Sequence, residues 1–124
     1  MFMESRCLPA FFFLLTNNRP MNSEKVSVLL KFKTQPGQAQ ALAQHLAKTT
    51  QLFEKEAGTE VWIVSIPITE ADTVWLYEVY ANGAAKDLHE ASADYAAVRN
   101  QTNSFLAGPP QVFPLMVVGG KGMA

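Results

Sequence analysis

The sequence predicts an α+β fold: a four-stranded antiparallel sheet with helices on one face, in the order strand, helix, strand, strand, helix, strand, a split βαβ arrangement. Two observations carry this prediction. Segments with period-two or β-branched character alternate in that order with segments whose apolar residues recur every three or four positions. The chain of 124 residues also matches a single domain, since one core organises roughly 100 to 200 residues.

The first strand is Lys25 to Lys33, where Val26, Val28, Leu30 and Phe32 share one face. Thr34-Gln35-Pro36-Gly37 stops it. From Gln38 to Ala57, Ala39, Leu42, Leu46 and Phe53 keep helical spacing, which predicts a helix of about five turns ended by Gly58, with Thr34 as its cap. Glu60 to Ile68 is β-branched and predicts the second strand. Thr69 to Asp72 is polar and turns the chain into the third strand, Thr73 to Ala81, so the two form an antiparallel hairpin. Asn82 reads as the N-cap of a helical stretch that reaches about Phe105, with a break near Ser92 to Asp94. Gly108-Pro109-Pro110 ends that stretch, and Gln111 to Val118 is the last strand. Strands bearing Trp62, Trp75 and Tyr77 leave few charges to solvate the face without helices, which predicts a homodimer through sheet faces.

The chain divides into an N-terminal extension over 1–22, a folded domain over 23–118 and a flexible C-terminal tail over 119–124. Leu8 to Leu15 has the look of a signal h-region, but Glu4 stands beside the only preceding basic residue, Arg6, and no A-x-A cleavage site follows. The run is also shorter than the about 20 residues a helix needs to cross a bilayer. The expectation is therefore a cytoplasmic protein with no membrane partner, in which Met21 is the working start and the preceding residues are disordered or upstream of it.

A net charge of -1, with 10 Lys and Arg against 11 Asp and Glu, supplies no broad positive field for phosphate backbones, so no nucleic acid is expected as a partner. One cysteine, Cys7, excludes an internal disulfide and a multi-cysteine metal site. Gly119-Gly120-Lys121-Gly122 is rich in glycine, but no helix follows it to present amides to a phosphate. No Ser-His-Asp order with a nucleophile elbow is present.

The residues with chemistry to offer are Glu78 and Tyr80, which share a face of the third strand, and His89 in the helix that follows. If that helix packs on the sheet, a carboxylate, a phenol, an imidazole and the Ser92 hydroxyl converge on one pocket wall. Tyr95 and Arg99, four residues apart, extend its rim if the chain bends near Ser92. The competing account is structural: Tyr80 as a core aromatic, Glu78 as a hydrogen-bond acceptor and His89 as a satisfied interior polar group. His45, beside the Leu42/Leu46 stripe, carries no role. Two histidines without an acidic cluster predict no metal site.

Thr34-Gln35-Pro36-Gly37, Glu78-Val79-Tyr80, Asn82-Gly83-Ala84-Ala85 and the run from Ala84 to Ser92 resemble the antibiotic biosynthesis monooxygenase family, which includes quinol monooxygenase-like proteins. The resemblance spans about residues 24 to 118. It implies a ferredoxin-like protomer that forms a dimeric α+β barrel, each protomer keeping a pocket between sheet and helices. It further implies a cofactor-independent monooxygenase acting on a small quinol or phenolic aromatic, with no cofactor and no metal, because the deprotonated substrate itself reduces oxygen. On this reading the catalytic residues are His89 as proton acceptor or substrate orienter, Tyr80 as a stacking or hydrogen-bonding wall, and Glu78 in support. Ser92, Tyr95 and Arg99 belong to the substrate pocket. Many relatives continue from the Ser or Thr into proline and a second histidine, whereas Ala93 and Asp94 stand here. No histidine follows His89, which argues against a haem role. A non-catalytic binding or stress-response protein and an isomerase of the same fold are the alternatives.

Overall fold

The computed structural model describes residues 24–122 of the 124. The expected extension over 1–22, with Cys7 and Met21, and the last two residues of the expected tail lie outside the described residues. The elements run β1 (Val26–Lys33), α1 (Ala39–Lys48), α2 (Thr50–Phe53), β2 (Thr59–Ser65), β3 (Thr73–Tyr80), α3 (Gly83–Glu90), α4 (Ala93–Asn103) and β4 (Gln111–Met116). All pairings are antiparallel and the strand order is β2-β3-β1-β4. The split βαβ, ferredoxin-like arrangement of a four-stranded antiparallel sheet is present.

The barrel implied by the resemblance is not. Closure requires the two edge strands to hydrogen-bond each other, and here β2 pairs only with β3 while β4 pairs only with β1. With β3 and β1 between them, the edges lie at opposite sides of an open sheet.

Two further expectations are corrected in detail. The five-turn helix ends early, at Lys48, because Thr49 turns its hydroxyl back to donate to Leu46 O at 2.6 Å and its N–H is shared between His45 O and Leu46 O. A single turn, α2, follows, and Thr34 is no cap: Gln38 occupies that position without a side-chain bond, and the Thr34 hydroxyl donates to Gln35 O. β2 stops at Ser65 rather than Ile68, since Pro67 has no N–H to offer the ladder.

Residues 28, 30 and 32 of β1 and 74 and 76 of β3 face the helices, where Phe32, Leu42, Leu46, Phe53, Val74 and Val98 form the core. β4 is a thin edge. Val112, paired with Leu30, is 54% exposed although it lies on the helix side, so the helices leave part of the sheet uncovered there. Gly58 fixes how α3 lands. A Cβ at that position would lie 2.5 Å from the Ala85 Cβ, so only glycine admits this close approach.

Candidate functional site

β3 delivers the first two groups. Glu78 and Tyr80 are two apart on a strand and so share the helix-covered face, and the Tyr80 hydroxyl donates to Glu78 Oε1 at 2.5 Å. Both are buried, Tyr80 completely and Glu78 to within 7%.

α3 delivers the third. Asn82 caps it by accepting the Ala85 N–H at 2.8 Å, and Ala85 sits on Gly58. His89, one turn beyond Ala85, therefore points inward and is buried. Its Nδ1 lies 2.7 Å from Glu56 Oε1, which also accepts the Thr59 hydroxyl at 2.8 Å. Facing a carboxylate, Nδ1 is the donor of this pair, and Nε2 has no hydrogen-bond partner. Rings fill the space around it: Phe53 at 4.5 Å between centroids, Tyr95 at 5.2 Å, Tyr80 at 5.3 Å and Trp62 at 5.7 Å.

The bend expected near Ser92 is real and has a mechanism. Ser92 donates to His89 O at 2.8 Å and accepts the Tyr95 N–H at 3.0 Å, ending one helix and capping the next. The redirected α4 brings Tyr95 against His89 and carries Arg99 along the same side.

A cavity of about 610 Å³ opens between α3, α4 and the uncovered part of the sheet. Its floor is apolar, from Val28, Leu30, Leu76 and Val112. Its polar groups include Glu78, Tyr95, Arg99, Lys86 and Glu90. Of the six residues named from sequence, Glu78, Tyr95 and Arg99 thus reach the cavity wall, while Tyr80, His89 and Ser92 are not part of that lining. Glu78 does not hold His89 in this structure; its hydrogen bond is with Tyr80, and Glu56 holds the histidine.

The electrostatics separate the groups further. Burial pushes the Glu78 carboxyl up to about 7, with the Glu90 charge adding to the rise while the Tyr80 hydrogen bond and Lys86 oppose it. Burial and then the neighbouring Glu78 push the Tyr80 phenol upward, so it stays a donor. Burial and the Glu90 charge also raise the Tyr95 phenol, against the pull of Arg99. Lys86 and Glu90 neutralise each other at 2.8 Å. A carboxyl that changes protonation near neutral pH on the wall of an apolar cavity can take up and return a proton.

Among the described residues, no three of His, Cys, Asp and Glu gather as metal ligands, and no helix is long and apolar enough to cross a membrane. His45 is half-buried and stacks on Phe105 at 5.7 Å, away from the groups above. The sequence reading missed Glu56, Lys86 and Glu90. The i,i+4 spacing of Lys86 and Glu90 was a usable signal, but nothing local links Glu56 to His89.

The family model described as antibiotic biosynthesis monooxygenase matches residues 25–101. No curated protein matches the chain at a significant level. Among solved structures, a candidate antibiotic biosynthesis monooxygenase from Caulobacter crescentus is similar at 21% identity and a TM-score of 0.71, over 79% of this chain and 93% of that one. The NE2512 protein of unknown function from Nitrosomonas europaea is similar at 24% identity and a TM-score of 0.71, over 83% and 98%. Rv0793 from Mycobacterium tuberculosis gives 23% identity and a TM-score of 0.69, over 79% and 99%. At these identities the likeness to the solved structures is one of fold.

Proposed function

The chain belongs to the antibiotic biosynthesis monooxygenase family, and from that premise we propose that its cavity binds a small quinol or phenol and oxidises it with molecular oxygen, without a cofactor. The observation that carries this reading is Glu78: a buried carboxyl titrating near 7 on the wall of an apolar cavity with room for an aromatic ring.

Glu78 takes the phenolic proton, which turns the ring into an electron donor. Tyr80 holds the carboxyl in place and keeps it anionic long enough to act, because its hydrogen bond favours the charged form. The quinolate ring carbon then bonds one oxygen atom of O2. The C–H proton at that carbon passes to the outer peroxide oxygen as the O–O bond breaks, the C–H electron pair forms the new carbonyl, the departing hydroxide takes the proton held by Glu78 and leaves as water, and a hydroxyquinone remains. One quinol and one O2 thus give one hydroxyquinone and one water, with no other reductant. The apolar floor excludes water during these steps. His89, locked to Glu56, backs Tyr95 from behind and sets the rim of the cavity.

Oxygen uptake by metal-free protein across a panel of hydroquinones tests the reading, with Glu78→Gln lowering turnover by about a hundredfold, the usual scale for loss of a general base. No uptake with any of them contradicts it. A carboxyl near 7 also serves proton transfer without oxygen, as in an isomerase, and product formation under nitrogen would favour that reading instead.

The opposite sheet face supports the proposal of a homodimer. Ile63, Phe113 and Leu115 are 53%, 40% and 45% exposed there, with Trp75 stacked on Phe113. A second copy is proposed to cover this face, each sheet staying open. Sedimentation of Leu115→Glu should show a monomer where the wild type is a dimer.

A further inference from the structure

A second cavity, a groove of about 480 Å³, lies at the end of the sheet where the chain enters β1. Its apolar lining comes from Val26, Pro114, Leu115 and Met116, of which Leu115 and Met116 are 45% and 75% exposed. Its two cations are already paired, Lys25 with Glu60 across β3 and Lys86 with Glu90, and its remaining charge, Asp87, is exposed. An anion therefore finds no unpaired cation in this lining. The groove suits an uncharged, apolar occupant.

The sequence supplies one. Leu8 to Leu15 reads Leu-Pro-Ala-Phe-Phe-Phe-Leu-Leu, without a charge. Left in water, it would expose three consecutive phenylalanines, each with about 150 to 250 Å² to bury. Only Thr16 to Glu24 separates it from Lys25, the first residue of the groove lining. Nine residues extend to about 30 Å at most, more than the roughly 20 Å length of a six-residue strand such as β4, so the run reaches every part of the groove. A tether that short holds the run near the groove at millimolar effective concentration, which favours it over any separate chain.

We propose that the Leu8–Leu15 run docks in this groove of its own chain, its phenylalanines against Pro114, Leu115 and Met116. The run then belongs to the folded unit rather than to an extension standing apart from it. Lys86 and Pro114 line both the groove and the larger cavity, so the docked run sits directly beside that cavity. Leu115 also lies on the face proposed for a second copy. Met116, paired with Val26 on the helix side of the sheet, does not, so mutation separates the two contacts.

The test places a nitroxide label on Cys7, the single cysteine, one residue before the run, and follows the amide resonances of the full chain. Those of Ser27, Gly83 and Met116 should lose most of their intensity, while those of Lys33 and Thr73, paired about 20 Å away at the far end of the strands, keep theirs. Phe12→Asp in the run and Met116→Glu in the groove should each restore the lost intensity, whereas Phe12→Leu should leave the pattern unchanged. Met116 is 75% exposed, so the fold survives its replacement. No loss of intensity at the groove, or equal loss at both ends of the strands, overturns the proposal. So does a loss seen when the spin-labelled chain is mixed with nitrogen-15-labelled Cys7→Ser chain, since the groove would then hold the run of a second copy.

Discussion

The space around His89 and the space beside Glu78 share β2, β3, α3 and α4, and each contains one buried polar group from the sheet-helix junction. Around His89 every direction is filled, by four rings and by Glu56, which supplies an opposite partner for the imidazole. Beside Glu78 the neighbour is a neutral phenol on one side and empty volume on the other. Glu56 is held by two partners, the imidazole and the Thr59 hydroxyl. A carboxyl buried without a basic partner holds its proton until about neutral pH, which is the property a proton-transfer site needs. On the proposed reading of the cavity, His89 serves architecture and Glu78 serves chemistry.

The strongest way to break that division is to remove His89. His89→Ala would empty the centre of the ring cluster and leave Glu56 with only the Thr59 hydroxyl, and should lower unfolding stability by about 4 kcal/mol in a urea titration, as large core truncations do. A variant of wild-type stability that has lost turnover would return the catalytic role to the histidine.

The second way uses pH. Glu78 is raised from its ordinary 4.5 to about 7 in the folded protein, so the folded state holds this proton more tightly than the unfolded chain does. The stability it confers is complete below pH 4.5 and is lost as pH climbs to about 7. Wild type should therefore lose up to about 3 kcal/mol relative to Glu78→Gln across that window, at about 1.4 kcal/mol per unit. Parallel pH profiles for the two proteins would contradict it.

A smaller effect sharpens the boundary between the two spaces. Ser92→Ala removes the cap that swings Tyr95 against His89 and should cost about 1 kcal/mol by thermal unfolding. It should also weaken aromatic ligands, since Tyr95 is on the cavity wall. Tyr80→Phe should cost less than 1 kcal/mol and move the Glu78 midpoint upward, because the lost hydrogen bond favoured the charged carboxylate.

How far the sequence reached follows the same division. Period two put Glu78 and Tyr80 on one face, while the hydrogen bond between them came only with the structure. The β2–β3 hairpin, the Asn82 cap and the bend at Ser92 were also legible, since each depends on residues within a few positions. Glu56 was not, because it meets His89 across 33 residues through a glycine contact that no pattern announces. The early end of α1 at Thr49 was overlooked for a different reason: the apolar stripe continues to Phe53, and a threonine back-bond competes with it unseen. The barrel failed as an expectation because edge pairing belongs to the whole sheet rather than to any segment. The cavity itself arises from what α4 and β4 leave uncovered, and periodicity describes only what is packed.

The central claim is that Glu78 is the group that exchanges a proton with the ligand, and carbon-13 NMR of carboxyl-labelled protein follows it directly, with Glu78→Gln identifying its resonance. A titration midpoint at about 7 is the predicted result. A midpoint at the ordinary 4.5 would contradict the account.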